Sequence, residues 1–467
     1  MKRLFIFTII ITLALLCTVS CEDNSNNDVN PNEKPNTEQP SEKPNDEIEA
    51  ENNKIYYTTS NGKKIFPTDS MFTVFGANLI SNTYENGQGV LTFDDTITSI
   101  GWAAFSYCGE LLTSISIPDS VTSIGGSAFS YCTSLTSITI PDNVTYIGEY
   151  AFYQCSSLTS IAIPDNVTSL EQFAFSYCTS LTSVTIGNSV TEICNDAFSG
   201  CTSLTNITIP DSVTEIGLGA FYGCSSLTSV TIPDSVTKIE PETFYGCTSL
   251  TNIVLPDSVT SIGDWAFFGC TSLTSITLGN SVTEICNDAF GDCSNLTSIT
   301  IPNSCTSIGV YAFGGCTSLT SATLGDSITK IEEEAFYNCG LLTSISIPDS
   351  VTSIGVQAFS NCSSLTSITI PDSVNEIGEE AFYNCTSLTS TTLGNSVTEI
   401  GKYAFYNCTS LTSVYCKPIV PPTGYRHIFH SNASDRKIYV PTESVDAYKT
   451  ALIWNYYADD IVGYDFN

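Results

Sequence analysis

The chain has 467 residues, of which 48 are acidic and 15 basic, for a formal charge of −33. Such a surface repels phosphate backbones and anionic lipid, which argues against nucleic acid as a partner. Two histidines, no Ser-His-Asp arrangement and no phosphate loop leave catalysis almost no foothold; the chain is expected not to be an enzyme and to need no cofactor.

Lys2 and Arg3 precede an apolar run from Leu4 to Cys17, interrupted only by Thr8 and Thr12. That run is too short to span a bilayer comfortably and suits a secretory signal. It ends in Leu16-Cys17-Thr18-Val19-Ser20-Cys21, which resembles a bacterial lipobox. The resemblance implies a signal peptide over residues 1–20 and lipidation at Cys21, with membrane attachment through the acyl chains. Residues 21–54 are rich in Asn, Pro, Glu and Asp, lack apolar periodicity and read as an acidic, disordered tether. Glu22-Asp23 resembles the export signal of surface-exposed lipoproteins. It implies an outer-membrane lipoprotein facing outward.

Residues 55–90 are irregular in pattern and aromatic, with Tyr56, Tyr57, Phe66, Phe72 and Phe75, and are expected to cap the first coil of a repeat array. From Cys132 to Cys408 a cysteine recurs every 23 residues, and Cys108 precedes the run at a spacing of 24. Self-similarity at such a period marks a solenoid or an array. In one copy the apolar positions are Ala220, Phe221, Cys224, Leu227, Val230, Ile232, Val236 and Ile239. The stretch from Leu227 to Ile232 ends in period-2 alternation, the mark of a strand with one buried face. Pro233-Asp234-Ser235 breaks it, because proline lacks the N–H a ladder needs and Asx and Ser favour turns. Val236 and Ile239 lie on a second short extended segment, and Ala-Phe-x-x-Cys is expected to close the coil as one tight helical turn. Fifteen parallel strands are expected, from Leu91/Phe93 to Val414/Cys416. At the C-terminal end Ser444 is expected to N-cap a helix carrying Val445, Tyr448, Leu452 and Trp454.

The phrase Leu-x-x-Ile-x-Ile-Pro-x-x-Val-x-x-Ile-Gly-x-x-Ala-Phe-x-x-Cys resembles the BspA-type leucine-rich repeat of bacterial and protist surface proteins. The resemblance covers residues 91–416 and implies a β-rich, right-handed repeat solenoid with a parallel sheet and short helical turns. Residues 55–90 and 417–467 then form terminal caps. It also implies a non-catalytic surface protein for adhesion or capture of host, matrix or neighbouring-cell proteins or glycans; a spacer without a specific ligand is the alternative. Fold analogy names no ligand.

Four features could carry chemistry. The column cysteines are expected to be buried free thiols, since stacked neighbours lie about 4.8 Å apart, beyond ordinary bridging distance; zinc is not expected without a CxxC pair. The Asx column, with Asp165, Asp234, Asp257 and Asp372 among others, is read as structural turns bonding their own backbone, with calcium as the lesser alternative. An aromatic column that includes Tyr131, Tyr153, Tyr245 and Tyr406 is read as rings stacking between coils. The candidate ligand surface is a concave, uncharged face made by Ser137, Thr139, Ser183, Thr185, Asn206, Thr208, Ser229, Thr231, Ser275 and Thr277. His427-x-x-His430 is read as solvated loop residues and not as a metal site.

Overall fold

The computed structural model describes residues 51–67 and 74–466. The signal segment, Cys21, Glu22-Asp23, Phe72 and nearly all of the expected tether lie outside the described residues. Alternation does make the strand: in Ser229–Thr231 only the central Val230 is buried, and Leu227 and Ile232 enter the core on either side. The strand pairs in register with Asn206–Thr208 of the coil before it, Ile207 opposite Val230 and Thr208 opposite Thr231. Repeated along the chain, this makes a parallel β-solenoid of about sixteen turns with little helix. A second column of fourteen two-residue strands, from Ser99–Ile100 to Glu399–Ile400, forms another edge of each coil.

No coil can bury its own phenylalanine, so each leans on its neighbours. From Phe105 to Phe405 the rings of adjacent coils stack at centroid distances of 5.0–5.7 Å and within 13° of parallel. The cysteine column runs beside them. From Cys132 onward each column thiol donates back one coil to a phenylalanine carbonyl, as Cys224 Sγ does to Phe198 O at 3.2 Å.

Helix was the expectation for Ala-Phe-x-x-Cys, and the structure overturns it. The segment is a turn with two left-handed residues, Tyr150 at φ 58° and Gln154 at φ 57° in one copy. Alternate N–H groups leave the coil altogether: Tyr150, Phe152 and Gln154 donate to Gln172, Ala174 and Ser176 of the next coil at 2.8–3.0 Å. A helical turn would keep those donors at home. The left-handed residues turn them outward into a third inter-coil ladder, which satisfies more backbone groups in a stack.

Glycine after the second strand has a steric reason. A Cβ at Gly148 would lie 2.5 Å from the Gly126 nitrogen, and the Gly148 N–H donates to Ile124 O at 2.8 Å. Cys194 and Cys286 keep the equivalent bond. The bonding of the short column breaks between Tyr146–Ile147 and Ser169–Leu170 and between Glu215–Ile216 and Lys238–Ile239, at the coils with Glu171 and Glu240 in that position, but it runs on through Lys330–Ile331, which Glu332 follows.

The first expected parallel strand is not parallel. Leu91 and Phe93 lie on β3 (Gln88–Phe93), which runs antiparallel to both β1 (Lys54–Thr59) and β2 (Leu79–Glu85). The N-terminal segment is therefore not irregular but a three-stranded antiparallel sheet in the order β2-β3-β1, with β3 in the middle. Its β1 runs antiparallel onto Leu112–Ser116, where the parallel ladder begins. At the other end the ladder continues past Cys416 into Lys437–Pro441 and Ile461–Tyr464. The closing helix is shorter than expected, Val445–Thr450. Leu452 lies outside it at 85% exposure, and Trp454 sits on the 3-10 turn Trp454–Tyr457. Ser444 makes no capping bond. It is held at φ −100°, ψ −2° by the preceding 3-10 turn, away from the extended conformation a capping side chain needs.

Candidate recognition surface

The strands of the long column aim alternate side chains at solvent. Ser137 and Thr139, Ser183 and Thr185, Asn206 and Thr208, Ser229 and Thr231, and Ser275 and Thr277 all take the exposed positions of an exposed–buried–exposed strand. The structure brings these ten residues onto one uncharged face.

Not every hydroxyl near that face is available. Most threonines just after a core leucine bond the coil before them: Thr228 Oγ1 donates to Thr205 O at 3.0 Å, and Thr274 to Thr251 O at 3.0 Å. A parallel row comes after the core valine, where Thr191 donates to Thr168 O at 3.1 Å and Thr283 to Thr260 O at 3.0 Å. These hydroxyls are consumed in ladders. Among the described residues, the side-chain hydroxyls of Ser137, Thr139, Thr208, Ser229, Thr231 and Thr277 make no hydrogen bond within the protein. The exception lies at the N-terminal end, where Ser114 and Ser116 bond to Thr58 and Tyr56 of β1 at 2.6 and 3.1 Å. The outward residues of the short column, by contrast, include Glu192, Glu215, Glu284, Glu376 and Glu399.

The hydroxyl column changes character at its C-terminal end. In register with Thr369 and Thr392 come Tyr415, Tyr439 and Val462. Sequence reasoning missed these rings, although Ser413-Val414-Tyr415-Cys416 places Tyr415 in the slot that Thr231 fills in Ser229-Val230-Thr231-Ile232.

The remaining features take structural roles. The column cysteines from Cys132 onward are buried and free, but Cys108, the first, is only half-buried. Burial pushes the Cys224, Cys362 and Cys408 thiols up to about 12. Half-buried Cys194 is also pushed up to about 12, first by burial and then by Glu192. Thiols held protonated are poor nucleophiles and poor ligands.

Four residues of the Asx column, Asp165, Asp257, Asn303 and Asp372, bond between coils, where their own backbone is the expected partner. Asp165, Asp257 and Asp372 accept the N–H of Asn188, Asn280 and Asn395 at 2.7–2.9 Å. Glycine replaces proline in the receiving coil, because a Cβ at Gly279 would lie 2.3 Å from Pro256 O. No group of three or more His, Cys, Asp or Glu among the described residues is placed to hold a metal ion.

The aromatic column stacks in runs, such as Tyr222–Tyr245–Phe268 at 4.7 and 5.3 Å. Gaps are filled by rings folding over glycine, as Tyr177 does over Gly200. His427 and His430 extend the stacks from Tyr403 and Tyr406 at 5.7 and 5.5 Å. They are not loose loop residues. The His427 imidazole is held below its ordinary range, first by desolvation and then by Arg426, His430 and Lys402.

The coil geometry has known counterparts. The model of the BspA-type leucine-rich repeat region matches residues 98–228, 168–297, 214–342 and 329–448. The chain belongs to this family. A leucine-rich repeat protein from Bacteroides ovatus is 32% identical, with 78% of this chain and 91% of that one covered and a TM-score of 0.66. A leucine-rich cell surface protein from Faecalibacterium prausnitzii is also 32% identical, over 77% of this chain and 94% of that one, with a TM-score of 0.44. The pneumococcal vaccine antigen PcpA is 20% identical over 82% and 87%, with a TM-score of 0.38. No curated protein matches. Solenoids of this family are typically binding surfaces without catalytic activity, and this chain has the same fold. No helix among the described residues is long and apolar enough to cross a membrane.

Proposed function

We propose that this chain is a non-catalytic lipoprotein, anchored through Cys21 at the outer membrane, that presents the hydroxyl face of its solenoid to a protein or glycan partner at the cell surface. One observation carries the reading. The ladder threonines beside the face are bonded internally, while the outward hydroxyls at Thr208, Ser229 and Thr231 have no partner in the fold. A partner can bond them without breaking anything. Hydroxyls also cost less to desolvate than the carboxylates of the short column. The lipobox-like junction at Ser20-Cys21 and the acidic Glu22-Asp23 support the location.

The test places Thr208→Lys and Thr231→Lys together at the centre of the face and measures binding of the full chain to an array of matrix proteins and glycans. Outward lysines leave the buried Ile207 and Val230 untouched, so the melting temperature should hold while binding falls. Binding that survives, and that is lost instead on substitution of Glu215 and Glu284, moves the site to the acidic column. An array with no ligand at all favours a spacer. Labelled palmitate should enter the chain and depend on Cys21; retention of label in Cys21→Ala rejects the anchor.

A further inference from the structure

We infer that the C-terminal end of the hydroxyl face is a subsite for an uncharged sugar ring, built by Thr392, Tyr415, Tyr464 and Asp465 with Phe466 at its edge. This rests on reading the face as a recognition surface and names the ligand class at one end of it. These five residues line a shallow, open depression of about 330 Å³, at the small end of the range of ligand pockets. It lies where the threonine column gives way to rings, since Thr392 pairs with Tyr415 and Tyr415 with Tyr439.

The aromatic residues of the C-terminal segment divide into two sets. Trp454, Tyr448 and Tyr457 are buried, and each polar handle is bonded to a carbonyl: Trp454 Nε1 to Pro422, Tyr448 to Pro418 and Tyr457 to Arg426, at 2.7–2.8 Å. Those rings serve the core. Tyr415, Tyr439 and Tyr464 are not buried, and neither their hydroxyls nor that of Thr392 bond within the protein. Yet they are ordered against one another. Tyr415 stacks on Tyr439 at 4.8 Å, and Tyr464 meets both edge-on at 5.5 and 5.6 Å. Phe466 meets Tyr464 edge-on at 4.9 Å.

This arrangement selects its ligand. An apolar side chain would strip water from three hydroxyls and give nothing back, at a desolvation cost. No basic residue lines the depression, and the chain carries a formal −33, so sulfated or carboxylated glycans are repelled. A neutral sugar matches what remains. Its C–H face lies on a tyrosine ring, and its hydroxyls exchange bonds with Thr and Tyr hydroxyls. The next sugars can continue along the threonine column.

The experiment titrates the full chain with neutral glucose-, mannose- and galactose-based oligosaccharides, with a sulfated oligosaccharide as the anionic control. Neutral probes should bind and the sulfated one should not. Tyr415→Thr, which restores the residue the repeat uses elsewhere, and Tyr464→Ala should each weaken binding about tenfold without moving the melting temperature. Tyr464→Phe keeps the ring and should lose only about threefold. Absence of neutral-sugar binding, binding only to peptides, or binding indifferent to both tyrosine substitutions overturns the subsite. Should Thr208→Lys with Thr231→Lys abolish capture of a partner while the tyrosine variants retain it, the face reading stands and the subsite falls. The reverse pattern keeps the subsite and rejects the mid-face reading.

Discussion

At its N-terminal end the solenoid turns the sheet around; at its C-terminal end it carries the ladder on. β1 lies antiparallel on Leu112–Ser116, so the first coil's free edge is met by a reversed strand that cannot start another coil. Phe75 then closes the phenylalanine column edge-on, 5.8 Å from Phe105 at 61°. The other end adds two more parallel strands and plugs the column with Trp454 and Tyr457 against Phe429, at 6.1 and 5.6 Å. Both ends tilt a ring across the last phenylalanine, because a parallel ring would only ask for the next one. The interior needs neither device, since every coil caps its neighbour. Ends should therefore be chemically particular and locally breakable, and the interior uniform and additive.

Alkaline pH should divide the two most strongly. A thiol is neutral when protonated, and burial holds the folded-state values of Cys224, Cys362 and Cys408 at about 12 against an ordinary 9.0. Stability from these groups is complete below the unfolded value and drains away as pH rises from 9.0 toward about 12. The effect accumulates over every interior coil, whereas no cysteine lies between Glu51 and Tyr107. Thermal melts from neutral to strongly alkaline pH should show a steep fall, with hydrogen exchange rising in the interior before β1–β3. A flat profile would mean the thiols are not buried as described.

Phe244→Ala comes next, at about 3–5 kcal/mol for a buried phenylalanine. Phe244 stacks between Phe221 and Phe267 at 5.5 and 5.3 Å. Exchange should rise first in those three coils and leave both ends protected. A uniform rise along the chain would mean that the coils do not couple only to their neighbours.

Much of the interior was legible because one pattern is written many times: the inward Leu227, Val230, Ile232, Val236 and Ile239 are all buried. The left-handed turn was harder, since Tyr150 or Gln154 alone signals nothing. Its evidence was the alignment of Gly200, Gly223, Gly246 and Gly269 with Asn338, Asn361, Asn384 and Asn407 at one position. Thr228 and Thr231 look alike in sequence; only the carbonyl of the preceding coil decides that one is bonded and the other open. The reversed cap was not readable, because the pairing of Tyr57 with Ile115 joins segments that share no pattern.

The C-terminal plug turns on Arg436, which is 8% exposed. It donates to Phe429 O at 2.6 Å and to Asp460 at 2.5 Å, and lies over the Phe429 and Tyr457 rings. Arg436→Met should cost about 3 kcal/mol, since it leaves Asp460 and a buried carbonyl without their partner. The loss should appear as exchange from Phe429 to Ile461 with β1–β3 unchanged. Equal loosening at both ends would contradict independent closure.

The smallest effects test whether the interior is as uniform as it looks. The residue before each column cysteine is left-handed throughout, yet its chemistry drifts from Tyr131 at φ 62° through Gly246 at 66° to Asn384 at 59°. Glycine accepts that conformation freely, and asparagine accepts it better than other L-residues. The asparagines also build a side-chain ladder: Asn384 Nδ2 donates to Asn361 Oδ1 at 2.8 Å, and Asn407 Nδ2 to Asn384 Oδ1 at 2.7 Å. Asn384→Ala loses two rungs and the conformational tolerance, so it should cost about 2 kcal/mol. Gly246→Ala should cost about 1 kcal/mol. Space does not limit it, because a Cβ there meets only Gly223 Cα at 3.9 Å. Gly246→Asn should cost less than Gly246→Ala, since the backbone is the same and only the tolerance differs. Denaturant melts of the three variants should rank in that order. If alanine is as good as asparagine at 246, the left-handed turn is not what sets this position, and the drift from tyrosine to glycine to asparagine reflects surface chemistry alone.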